Sequence, residues 1–134
     1  MKYFQEPVSK NVYGYDETDP AEQLLIKDAI SNKWEDITKS WPPAPTKEQI
    51  VFTYEIAARQ NLDSVAISWG YDSLLSAASY LGSTNAQYAS DAKALVAWRD
   101  SYWEAAYTIE QGTLPDTAEA FVAMLPAAPT KPTV

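Results

Sequence analysis

The chain has 134 residues and a net charge of −8, enough length for one domain with a real core or for a core plus a small appendage. It contains neither Cys nor His, which excludes disulfides, the usual zinc sites, the Ser-His-Asp triad and the Cys-His pair. Its few, scattered Lys and Arg argue against nucleic acid, and no apolar run approaches the roughly 20 residues that a membrane span needs.

The start, MKYFQEPVSK, lacks a signal-peptide pattern, so a soluble protein acting where it is made is expected. Lys2–Gln5 and Asn11–Tyr15 read as two short strands around a turn holding Pro7 and Ser9. DETDP, residues 16 to 20, reads as a solvated turn with Asp19 as N-cap and Pro20 at the first helical position. A calcium loop would need a DxDxDG spacing that is absent. Pro20–Ile30 is then a short helix with Leu24, Leu25 and Ile30 on its apolar side, and Trp34–Thr38 a third strand.

Ser40–Thr46, SWPPAPT, interrupts any helix or central strand and reads as a semi-rigid linker rather than an SH3-type ligand. It separates a mixed unit, residues 1–39, from a helical domain, residues 47–126. The first long helix runs from Lys47 to Ile67 behind a Thr46 cap. Ile50, Val51, Tyr54, Ala57, Ala58, Leu62 and Val65 share one face. Phe52, Ile56 and Ile67 form a second stripe, either core or partner surface. Gly70 breaks this helix, and Ser73–Leu81 makes a short one.

Asn85–Gln111 has no Gly or Pro and reads as the longest helix. Tyr88, Ala92, Leu95, Trp98, Tyr102, Trp103, Ala106 and Ile109 fall within about half its circumference. Arg99 lies in that apolar arc and calls for a partner. The readings are a buried salt bridge to Asp72 or a stem lying over Trp103 with its head at the rim. After Gly112, Asp116 and Glu119 form a capping box for a last helix, and residues 127–134 form a disordered tail. The expected fold is α+β and mainly α: a small β-containing unit, a proline-rich linker, then an antiparallel bundle of two long and two short helices.

The candidate acid pairs for a hydrolase, Glu35/Asp36 and Asp91/Asp100, are badly placed. The first would point to opposite sides of a strand, and the second is more than two turns apart. The residues therefore point to a protein that is not an enzyme and needs no cofactor or metal. The five Trp and nine Tyr exceed what a small helical core can easily hide. Phe52, Ile56, Ile67, Trp69, Trp98, Tyr102 and Trp103 are the candidate partner-binding residues.

Gly70-Tyr71-Asp72-Ser73, the run ALVAWRD at residues 94–100 with Trp103 following, and PDTAEAFVAMLP near the end carry a resemblance. Together with KYF and NVYGYD at the start, they make the chain resemble tail-fibre assembly proteins encoded beside tail-fibre genes in tailed bacteriophages. The match is good after the linker and loose in the first 45 residues. The resemblance implies a chaperone-like helper that binds the C-terminal region of a trimeric tail fibre in the host cytoplasm, as a homo-oligomer or a 3:3 complex, and then leaves or stays on the virion. The alternatives are a tip protein that recognises host glycan and an enzyme acting on surface polymer.

Overall fold

The computed structural model describes residues 1–134. The fold is mixed α+β and mainly helical, with one three-stranded antiparallel sheet and five helices. The chain divides into two units, Met1–Ala44 and Pro45–Val134, and the division falls inside the proline-rich stretch.

In the first unit, β1 (Lys2–Gln5) lies between β2 (Val12–Tyr15) and β3 (Glu35–Asp36). Tyr3 opposes Gly14, where an added Cβ would sit 2.7 Å from Tyr3 Cε1, so a larger residue there would displace the ring. The turn is held by Glu6, whose carboxylate accepts from the Val8 and Ser9 amides. The third strand is shorter than the expected 34–38. Only residues 35 and 36 pair with β1, and beyond them the Thr38 hydroxyl accepts from the Tyr3 amide at 3.1 Å.

Helix α1 (Pro20–Ser31) starts as its sequence dictates, with the Asp19 carboxylate accepting from the Ala21 amide at 2.8 Å. Its buried side is not Leu24, Leu25 and Ile30, all of which are exposed. Ile26 and Ala29 instead close over Phe4. A sheet of such short strands covers only one narrow stripe of the helix, and the i, i+3 pair of Ile26 and Ala29 takes it.

In the second unit, α2 (Lys47–Ser68) opens with a complete capping box: Thr46 Oγ1 accepts from Gln49 N, and Gln49 Oε1 accepts from Thr46 N. It ends where Gly70 adopts φ +99°, a conformation costly for any residue with a Cβ. Ser73 caps α3 (Leu74–Ala78), and Asn85 caps α4 (Ala86–Glu110) through the Gln87 and Tyr88 amides. The last helix, α5 (Ala118–Ala123), is capped by Thr117, whose hydroxyl accepts from the Ala120 amide, rather than by the expected Asp116. Both side chains are competent caps, and the helix begins one residue later than expected.

Tyr54, Ala58, Leu62 and Ala66 of α2 meet Leu95, Trp98, Tyr102 and Ala106 of α4, with Leu74, Phe121 and Leu125 closing the core. Tyr54 stacks on Phe121 with centroids 5.3 Å apart and donates its hydroxyl to Pro115 O at 2.6 Å. Alanines recur in this core because helices that meet over small side chains approach closely.

The segment expected as a disordered tail is instead fastened along the helical unit. It forms no helix or strand. Trp98 Nε1 donates to Pro126 O at 2.9 Å, Gln87 Nε2 donates to Pro132 O at 2.8 Å, and Lys131 Nζ donates to Trp69 O at 3.1 Å. Prolines remove amide donors but leave carbonyls, and here side chains of α4 reach those carbonyls.

Candidate partner-binding surface

The aromatic side chains divide sharply. Trp98 is 6% exposed and Tyr102 0%, so both are core residues and not the partner contacts expected of them. The Tyr102 hydroxyl accepts from Asn61 Nδ2 at 3.0 Å and donates to Ala58 O at 3.3 Å, which satisfies it inside the core. Trp69 and Trp103 are half-buried against the same cluster, and Lys131 Nζ sits 5.7 Å from the Trp69 ring centroid.

Phe52, Ile56 and Ile67 are exposed, Phe52 to 66%. Spacings of four and eleven residues put them along one side of α2, opposite the row that packs on α4. Leu75, 80% exposed, stands beside a groove of about 370 Å³ that Arg59, Leu62, Leu74, Arg99 and Trp103 also line.

Arg99 does not pair with Asp72. Its Nε and Nη2 both donate to Asp100 Oδ1, at 3.0 and 2.9 Å, and Asp72 is exposed. Nor is Arg99 fully buried. Its long stem crosses the edge of the apolar arc and delivers the charge to a half-exposed position beside its own neighbour.

The buried charges are acids. Asp91, 1% exposed, accepts from the Tyr71 hydroxyl at 2.8 Å and from Gln87 Nε2 at 2.7 Å, and lies 3.3 Å from Lys131 Nζ. Burial pushes its carboxyl up, but the bonds from Tyr71, Gln87 and Lys131 with the Lys131 charge outweigh that and hold it below the usual carboxylate range. Burial, followed by the bond to Asp91 and the neighbouring negative charge, pushes the Tyr71 hydroxyl up to about 12.

Glu110, the last residue of α4, is 9% exposed and has no comparable support. Its Oε1 is buried without a hydrogen-bond partner. Burial, then a hydrogen bond shared with Glu55 and the Glu55 charge, raises its carboxyl to about 7. The sequence carried a signal for both acids. Asp91 falls three after Tyr88 and four before Leu95, and Glu110 falls four after Ala106, so each lies in or beside the apolar arc of α4.

Glu35 and Asp36 are exposed, and the Asp36 carboxylate is taken by the amide and hydroxyl of Thr38. Asp91 is buried while Asp100 is exposed, so neither pair shares a cleft. In the DETDP turn, Asp16 accepts from Thr18 and Asp19 from Ala21, and no group of three or more acids gathers to hold a metal ion. No helix is long and apolar enough to cross a membrane. No protein-family model matches the chain, and no curated protein or solved structure matches it.

Proposed function

We propose that the protein is an assembly helper for the tail fibre of a tailed bacteriophage, binding the C-terminal region of the trimeric fibre while that region folds. The observation that carries this reading is the exposed row Phe52, Ile56 and Ile67 on α2, on a chain that resembles such helpers through GYDS and ALVAWRD. Large apolar side chains held in water on a rigid helix suit a surface that covers another chain. A slender trimer needs such cover, because its strand edges stay open until distant contacts form. Binding of this kind asks for no cofactor and no catalysis. It takes place in the host cytoplasm, and a 3:3 complex follows the symmetry of the fibre.

In this reading the rigid scaffold is an antiparallel bundle of α2 and α4 with α3 and α5 packed on it. The interhelix partners support that layout: Glu55 meets Glu110, whereas Asn61, further along α2, meets Tyr102, further back along α4.

One observation favours the glycan-binding alternative. Tyr71, Tyr80 and Tyr88 cluster with centroids 5.2 to 6.4 Å apart, and Tyr80 and Tyr88 are exposed. Co-expression with a tail-fibre gene, should one lie beside this protein's own, separates the two. The helper reading expects soluble, SDS-resistant fibre trimer only when this protein is present, and loss of that effect in Phe52→Asp/Ile56→Asp. Equal trimer yields with and without the protein, together with binding to host polysaccharide that Tyr88→Ala abolishes, would replace it with the glycan reading.

A further inference from the structure

We propose that the groove between the N-terminal half of α2 and the end of α4 is a slot for an arginine side chain of a partner protein, with Glu110 and Glu55 as its anionic floor. The groove has a volume of about 480 Å³ and is lined by Glu48, Val51, Phe52, Glu55 and Glu110, with Lys47 at its edge. Three features of the site point to a cation.

First, Glu110 is nine-tenths buried and its Oε1 has no partner, although the other buried acid, Asp91, is fully engaged. A buried acceptor left unsatisfied is costly, and its retention at a groove wall is explained if a donor arrives there. Second, Glu110 ends α4, where the helix dipole and free carbonyls already disfavour a negative charge and favour a positive one. Third, Glu55 faces Glu110 from α2, and once the proton they share is lost the two charges repel with no cation of the chain paired to either.

The neighbouring cations do not fill this role. Lys47 Nζ is turned to Gly112 O at 3.4 Å, and Arg59, one turn beyond Glu55, makes no ion pair with it. The other charged or titratable groups around the pair are Glu48 on α2 and Tyr107 on α4. Too few acids gather for a metal ion. A guanidinium fits the remaining chemistry: its planar fork can bond two carboxylates at once, and its stem and face can lie on Val51 and Phe52. The slot borders Phe52 of the partner face proposed above and extends that reading, but its test uses a small probe and stands whether or not a fibre binds.

The test is an NMR titration of the full chain with N-acetyl-L-argininamide, with N-acetyl-L-lysinamide as comparison. Saturable shifts at the Phe52, Glu55 and Glu110 amides are expected at about pH 8, with arginine tighter than lysine by a few-fold. Affinity should fall by about tenfold at about pH 5.5, because the proton on Glu110 then competes with the probe. Glu110→Gln, which keeps the shape and removes the charge, should weaken binding by about tenfold and abolish this pH dependence. Glu55→Gln should weaken binding and move the pH midpoint downward. Absence of saturable shifts, or unchanged binding in Glu110→Gln, would overturn the slot. Equal affinity for lysinamide, or displacement of the probe by calcium chloride, would overturn its assignment to a guanidinium.

Discussion

Lys131 Nζ lies 3.3 Å from the Oδ2 of Asp91, an acid that is almost wholly buried on α4. This contact joins residues forty positions apart and turns a proline-rich tail into a strap over the helical unit. The cation is half-exposed, so its Coulomb attraction is modest, but it completes the set of donors around the buried carboxylate that Tyr71 and Gln87 begin.

Lys131→Ala is therefore expected to cost only about 1 kcal/mol while releasing the strap. Amide hydrogen exchange over residues 127–134 should accelerate, and Trp69 fluorescence should change. Asp91→Ala should cost about 3 kcal/mol in urea denaturation, since it leaves the Tyr71 hydroxyl without its acceptor and the Gln87 amide with Pro132 O alone. Because the Asp91 carboxyl is depressed in the folded state, its contribution is present above the ordinary value of 3.8 and is lost as pH falls through its folded value. Unchanged exchange of the strap in both variants would show that the Lys131–Asp91 contact does not hold it in place.

Glu110 should act with the opposite sign. Its carboxyl is raised from 4.5 to about 7, so the folded chain holds a proton that the unfolded chain has released. Stability should fall as pH rises from about 4.5 to 7, by on the order of 3 kcal/mol in all. Glu110→Gln should flatten this slope and be more stable than the parent at about pH 8. Melting temperatures across this pH range measure both effects, and parallel profiles for the two proteins would refute the assignment.

Arg99→Ala should change stability by no more than about 1 kcal/mol, because the pair with Asp100 is exposed and joins adjacent residues. Asp72→Ala should do as little, and the two changes should add. A loss near 3 kcal/mol for either would require a buried partner that the fold does not provide.

Residues 45–134 contain a complete core, so that fragment alone should melt cooperatively. Ending it at Pro126 removes Lys131 and the Pro132 carbonyl from their partners, and its melting temperature should drop by several degrees. Calorimetry of the two fragments reads the difference. Identical midpoints would show that the strap contributes nothing to stability.

The elements were legible in the sequence because their signals are local. Asp19 with Pro20, the Thr46 and Gln49 box, and Gly70 each act within a few residues, and each stands where the pattern put it. The long apolar arc of α4 was equally plain: Leu95, Trp98, Tyr102 and Ala106 fill the core from it, and Ala92 is buried beside them. Periodicity could not say how wide a stripe the neighbours would cover. The small sheet therefore takes Ile26 and Ala29 from α1 and leaves Leu24, Leu25 and Ile30 in water. Nor could it say which charged residue on the arc stays inside. Arg99 has a stem long enough to reach the edge, whereas the short side chain of Asp91 does not, so the aspartate is buried and draws its partners to it. Those partners, Tyr71 and Lys131, lie twenty and forty residues away in the chain, and no local pattern links them to Asp91. Only the tertiary fold brings them together, the turn after α2 and the tail both closing on α4, because a buried carboxylate must have its donors and the fold places these within reach.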